Sequence, residues 1–180
     1  MPPFGDADPR LLIVGLAPGL HGANATGRPF TGDHAGLLLY RTLHEFGFAS
    51  RPESRAIDDG LVLHECRITN AVKCVPPGNK PRPEEIRTCN AYLAAELAGL
   101  RPGTVILALG AIAHDAVLAA LALPRSTHRF VHGAEHVLPH RLTMIDSYHC
   151  SRYNTQTGRL TAAMFRKVVA RAAALARERH

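Results

Sequence analysis

Four short apolar runs, each followed further along by a stretch of helical character, constrain this chain more than any other feature. The runs are LLIVGL (11–16), RITNAV (67–72), TVILAL (104–109) and LTMIDSY (142–148). The helical stretches are HAGLLLYRTLHEF (34–46), PEEIRTCNAYLAAELAGL (83–100), AIAHDAVLAALAL (111–123) and TAAMFRKVVARAAALARER (161–179). Strands covered on both faces read as continuous apolar runs rather than as alternation. Strands alternating with helices predict a parallel sheet with helices on both sides. Pro83, Glu84 and Glu85 open the second helix, where free N–H groups favour them. With 180 residues the chain makes one domain with a sizeable core, spanning 1–180.

In such a sheet, ligands bind beyond the carboxyl ends of the strands. The segments to inspect are therefore 17–33, 73–82, 110–111 and 149–160. The first lies within GLAPGLHGANATGRPFTGD (15–33), rich in glycine and almost free of charge. Glycines 15, 19, 22, 27 and 32 let a ligand approach the backbone and its N–H groups; simple turn chemistry would need fewer of them. GANATGR (22–28) begins like a phosphate-binding loop and then fails. Arg28 stands where lysine is needed, and Pro29 where a hydroxyl should hold magnesium.

Composition narrows the class. Hydrophobic residues make up 46% of the chain, which argues against disorder. No apolar run reaches the ~20 residues of a membrane helix, and the opening MPPFGDADPR lacks the pattern of an export signal. A cytoplasmic protein with no membrane contact is expected, and a monomer. The net charge is +6, from 21 Lys+Arg against 15 Asp+Glu, with arginine dominant. Arginine grips phosphate bidentately, which suits a nucleic-acid partner, although a biased composition alone gives the same charge. The four cysteines, 66, 74, 89 and 150, form no CxxC pair, and disulfides are not expected in a chain without an export signal.

Three segments sit, in order, after the first, second and fourth strands: GLAPGLHGANATGRPFTGD, ITNAVKCVPPGNKPRPEEIRTC and SYHCSRYNTQTGRLT. Together they closely resemble the uracil-DNA glycosylase superfamily, specifically family 5 (type B), from about Phe4 to the last helix. HGAEH (132–136) also resembles that family. The resemblance implies a three-layer α/β/α sandwich around a four-stranded parallel sheet. It implies base excision repair: uracil, flipped from DNA, is cut from its deoxyribose to leave an abasic site. Hypoxanthine and xanthine are further substrates that the family's breadth implies. A non-catalytic binder of damaged or abasic DNA is the alternative on the same fold, and a small-molecule α/β enzyme a third reading from fold class alone.

Breaking an N-glycosidic bond builds positive charge on the sugar and negative charge on the departing base, and a catalyst must stabilise both. By resemblance His149 faces the O2 of the leaving uracil as donor, for which a neutral imidazole suffices. Asn70 offers an acceptor and a donor to the N3–H and O4 edge, and Phe30 either stacks on the base or plugs the loop. Gly15, Ala17 and His21 are expected beside the substrate. Better-known superfamily members carry Asp or Asn at the position of Ala17 to hold the attacking water; family 5 has alanine there. Asn24 and Asp33 are then the candidates to hold the water, with His21 third. Asn24 can only orient water, whereas Asp33 can also take its proton. Asp33 equally suits the N-cap of the following helix.

Arg152, Tyr153, Asn154 and Gln156 are expected to contact DNA, entering the minor groove and filling the gap left by the base; a polar loop capping the last helix is compatible with that role. The family usually has proline after the histidine, where this chain has Cys150. The last helix is amphipathic and basic, and such a face is more often solvated than bound to DNA. Family 5 members typically carry a [4Fe–4S] cluster on four cysteines. Cys74 and Cys89 match the second pair, and the first pair belongs to an N-terminal extension that this sequence does not show. Either the sequence starts downstream of the true N-terminus or the protein has no cluster, since such clusters need four thiolates.

Overall fold

The computed structural model describes residues 1–79 and 81–178. Arg179 of the expected last helix, and Lys80 of the second matched segment, lie outside the described residues. Six strands form one sheet: β1 (Phe4–Gly5), β2 (Leu11–Gly15), β3 (Cys66–Asn70), β4 (Val105–Leu109), β5 (Glu135–Val137) and β6 (Thr143–Ser147), in the order β1-β3-β2-β4-β6-β5. The helices are α1 (Ala23–Thr26), α2 (His34–Glu45), α3 (Pro83–Ala98), α4 (Ala111–Ala120), α5 (Arg152–Gln156) and α6 (Ala162–Glu178).

The expected four-stranded parallel sheet is the centre of this larger one. β3, β2, β4 and β6 run parallel, while β1 and β5 add antiparallel edges. The edge strands left no signal in the sequence for a physical reason. β1 has two residues and β5 only Glu-His-Val, so neither carries an apolar run. Edge strands are short and face water on one side, which removes the demand for apolar residues.

The pleat of the central strands divides the core in two. Leu11, Ile13, Val105 and Leu107 pack beneath α2 and α6, whereas Leu12, Val14, Ile106 and Ala108 pack beneath α3 and α4. Both faces are covered, which explains the unbroken apolar runs. At the start of α3, the Arg82 N–H donates to Glu85 Oε2 at 2.7 Å, with Pro83 in the first turn. α4 ends at Ala120, short of the expected Leu123, because Ala122 adopts the left-handed conformation (φ 54°) and stops the helix. α6 buries Phe165, Val168, Val169, Ala172, Ala173 and Ala176 on one face. Two of its arginines instead meet surface carboxylates, Arg166 with Glu45 and Arg171 with Glu135, and Arg177 donates to the Phe46 carbonyl. Among the described residues, no helix is long and apolar enough to cross a membrane.

All four parallel strands finish at the same edge of the sheet. Gly15 stands beside Asn70 in the β2–β3 register, and Leu109 beside Ser147 in the β4–β6 register. That edge gathers the loop after β2, the loop after β3 and the segment after β6.

Candidate active site

A cavity of about 360 Å³ opens at this edge, with Ala17, Phe30, Asp33, His34, His149 and Arg152 among its walls. Four separate segments build it: the loop after β2, the first turn of α2, Pro76 of the loop after β3 and the chain that follows β6.

The 15–33 loop is pinned from outside the cavity. The Tyr40 hydroxyl donates to the Pro29 carbonyl at 2.6 Å, and Thr31 Oγ1 bonds Ser54 Oγ at 2.6 Å. Arg28 is buried and turned away from the cavity. Its guanidinium donates to Asp59 Oδ1 at 2.8 Å, to Ser54 Oγ at 2.9 Å and to the Ile57 carbonyl at 2.7 Å, and it lies 4.4 Å from the centre of the Phe4 ring. Burial alone would raise the Asp59 carboxyl, but Arg28 and the amides of Arg55, Leu61 and Ala56 hold it well below the usual carboxylate range. The residue in the lysine position of a phosphate loop thus serves as an internal strut. With that scaffold in place Phe30 takes a left-handed backbone (φ 57°). Such a conformation costs a non-glycine residue ~1–3 kcal/mol and persists where surrounding contacts over-determine it.

The loop glycines make room for the protein's own side chains. A β-carbon at Gly15 would stand 2.5 Å from Asn70 Oδ1 and 2.6 Å from the tip of the Phe30 ring. One at Gly19 would stand 2.6 Å from the Asp33 carboxylate, and Gly22 faces the same carboxylate more closely still. The close approach anticipated for a ligand is therefore made by Phe30, Asn70 and Asp33, which are pressed against a backbone that cannot obstruct them.

Asn70 is 2% exposed, and its Oδ1 is buried without a hydrogen-bond partner. A buried orphan acceptor is costly and calls for an explanation such as a donor supplied by a ligand. His149 stacks on Phe30, with ring centroids 6.0 Å apart and planes inclined at 28°. Burial pushes its imidazole down to about 4, so it is neutral at physiological pH and keeps one N–H to donate. Gly110 (φ 94°) backs this histidine: a β-carbon there would lie 3.4 Å from His149 Cβ. Asp33 occupies the N-cap position of α2, but its side chain makes no cap bond. It turns back instead, accepts the Ala23 N–H on Oδ2 at 3.1 Å and lines the cavity. Burial raises its carboxyl above the ordinary value, opposed by the Ala23 hydrogen bond.

The other sequence candidates are distributed less evenly. His21 and Asn24 are exposed and are not among the cavity walls; Asn24 rides on α1, where its backbone N–H bonds Gly19 O at 3.0 Å. Arg152 is exposed and lines the cavity, while Tyr153 is 71% exposed and Gln156 exposed beside it on α5. Asn154 points inward: its Nδ2 donates to the His149 carbonyl at 2.8 Å. Cys150, in the place of the family's proline, is fully buried in the core beneath α2 and α6, so packing restrains the chain there.

The family model of the uracil DNA glycosylase superfamily matches residues 2–173. The type-5 uracil-DNA glycosylase of Thermus thermophilus is 52% identical over 176 residues, covering 98% of this chain and 80% of the relative. Those of Pyrobaculum aerophilum and Mycobacterium leprae are each 44% identical, covering 97% and 91% of this chain and 75% and 72% of the relatives. The chain belongs to the uracil DNA glycosylase superfamily, in its type-5 branch.

The [4Fe–4S] cluster implied by the family 5 resemblance would need four thiolates that converge. Cys74 is exposed; Cys89 is buried and its Sγ accepts the Lys73 N–H at 3.4 Å, so these two sulfurs belong to adjoining segments. Cys66 lies on β3 and Cys150 after β6, both fully buried, with thiols that burial pushes up, to about 12 for Cys150. Among the described residues no set of cysteines converges as metal ligands would. The four cysteines of this chain do not compose a four-thiolate site.

Sequence reasoning missed His34 and Ser151 as cavity walls. His34 Nε2 bonds Thr155 Oγ1 at 3.1 Å and ties α2 to α5 across the cavity mouth. Its signal was its place, directly after Asp33 at a helix start facing the strand ends.

Proposed function

We propose that this chain is a uracil-DNA glycosylase that hydrolyses the N-glycosidic bond of uracil in DNA and leaves an abasic site for base excision repair. The observation that carries the reading is the buried, unpartnered Oδ1 of Asn70 beside Gly15, behind a cavity whose walls include Phe30, Asp33 and a neutral His149 but not Asn70 itself. An orphan acceptor matches the N3–H of uracil, and the amide's donor matches O4. Phe30 offers its ring to the flipped base, a contact worth ~1–3 kcal/mol.

Water attacks C1′, the C1′–N1 bond breaks, and its electron pair moves onto the base. His149 donates a hydrogen bond to O2, where that charge collects. Asp33, held by the Ala23 amide, orients the water and takes its proton. Its raised carboxyl suits a base that must ionise and then accept a proton. Arg152, which lines the cavity, and exposed Tyr153 and Gln156 on the same short helix meet DNA, while Asn154 acts indirectly by holding the His149 carbonyl. Small walls at Ala17 and Ala35 leave space for hypoxanthine or xanthine as further substrates. The enzyme works as a monomer on DNA in the cytoplasm.

A uracil-containing duplex, incubated with the protein and then treated with alkali, tests this. Strand cleavage that His149→Ala and Asn70→Ala abolish is the expected result. Tight binding to abasic DNA with no uracil release would establish the non-catalytic binder instead. Failure to bind DNA even at low salt would remove both.

A further inference from the structure

The HGAEH segment is absent from the cavity walls, yet it is laced to the strand that delivers His149. The Val131 N–H donates to Asp146 Oδ2 at 3.2 Å, the Gly133 N–H to the Asp146 carbonyl at 2.8 Å, and the Asp146 N–H to the Ala134 carbonyl at 3.0 Å. The fully buried Asp146 carboxylate also meets His136 Nε2 at 2.8 Å and His114 Nδ1 at 2.7 Å. His114 Nε2 faces the His128 carbonyl at 2.9 Å, so both ring nitrogens of His114 face acceptors; burial lowers its pKa, but Asp146 and that carbonyl outweigh it and raise the value above the ordinary one. This network fixes residues 131–136 against β6.

Past that anchor the strand ladder gives way to a side chain. The Tyr148 N–H donates to His132 Nδ1 at 3.1 Å, and the two rings stack with centroids 4.9 Å apart and planes 12° from parallel. Arg159 covers the Tyr148 ring at 4.7 Å. Tyr148 immediately precedes His149, whose own carbonyl is held by Asn154. The backbone that aims the His149 ring is thus gripped on both sides, by an imidazole before it and a carboxamide after it.

We propose that His132 is a positioning residue for base release: by accepting the Tyr148 amide on Nδ1 it sets where the His149 ring stands in the cavity. The inference rests on the glycosylase reading for its kinetic consequence. His132 touches neither the cavity nor the proposed DNA-facing residues, so its loss affects the chemical step and leaves DNA binding alone. Misplacing a catalytic group by a fraction of its hydrogen-bond reach is costly even when the group itself is intact.

The test compares His132→Ala with His132→Asn in single-turnover uracil release and in NMR of the His149 ring without substrate. The asparagine Oδ1 stands where the histidine Nδ1 stands and can accept the same amide. His132→Ala is expected to slow release about 10–100-fold at saturating enzyme, with the half-saturating concentration little changed. It also shifts the His149 ring resonances, and His132→Asn restores most of both. Equal losses in the two variants, or a wild-type rate in His132→Ala, overturn the proposal. An unmoved His149 resonance in His132→Ala overturns it as well. If the unmodified protein releases no uracil, the resonance comparison still decides the positioning, and the failure falls on the activity.

Discussion

Replacing Asn70 with leucine should separate function from stability in opposite directions. Leucine has nearly the shape of asparagine and no polar atoms. Asn70 Oδ1 is buried without a partner beside Gly15 and the Phe30 ring. A buried unsatisfied polar atom costs ~1–3 kcal/mol, and exchanging it for an apolar group of the same shape recovers part of that. In a chain of this length each kcal/mol moves Tm by roughly 2–4 °C. Asn70→Leu is therefore expected to melt at or above the temperature of the unmodified protein. Uracil release should fall by about 10²–10³-fold, the loss typical when a preorganised hydrogen-bonding group is removed from an active site. Differential scanning calorimetry and single-turnover release on a uracil duplex read the two effects separately. A clear drop in Tm would mean that Asn70 is a structural residue with an unseen partner. Release within about threefold of the unmodified rate would mean that it does not read the base.

Asp33→Asn keeps an acceptor for the Ala23 amide and loses the proton-accepting carboxylate. Release should slow by about 10²–10⁴-fold with little change in Tm, and an unaltered single-turnover rate would move the water to another residue. The buried His149 has a folded-state value of about 4 against 6.5 unfolded, so the unfolded chain binds more protons between those values. Its contribution to stability is complete above pH 6.5 and is lost as pH falls towards 4; the raised His114 acts in the opposite sense, losing its contribution as pH rises. His149→Gln should flatten the fall in urea midpoint between about pH 7 and pH 5, and an identical slope in both proteins would refute the assignment. Arg28→Met leaves the Asp59 carboxylate, 14% exposed, without its cation. Denaturant titration should show a loss of about 3–5 kcal/mol, and a loss below about 1 kcal/mol would mean that the backbone amides suffice for Asp59.

The relation between motif and geometry differs among the site residues. His149 and Asn70 could be placed from sequence because they sit at strand ends, where a parallel sheet directs side chains and loops to one edge. Asp33 could be named but not assigned, since a helix N-cap and a cavity wall look alike in one dimension. Only the packing of Gly19 and Gly22 shows the carboxylate turned back into the loop. Asn24 and His21 occupy the same loop and are equally polar, yet they emerge on its outer surface. Asn154 reads as a DNA contact by its neighbourhood, whereas its amide is engaged with the His149 backbone.

By itself the sequence determined the parallel α/β core, because strands buried on both faces must be apolar throughout and helices between them must carry an apolar stripe. It also determined which edge holds the site, since βαβ connections bring every parallel strand end to one side. Tertiary structure alone decided the antiparallel edges, the inward turn of Arg28 and Asp33, and the grip of His132 on Tyr148. The turns of Arg28 and Asp33 and the grip of His132 depend on contacts between residues 10 to 31 positions apart, and the outer edge strand pairs Phe4 with distant Ile68; such pairing follows from packing in three dimensions and leaves no periodic trace in the chain.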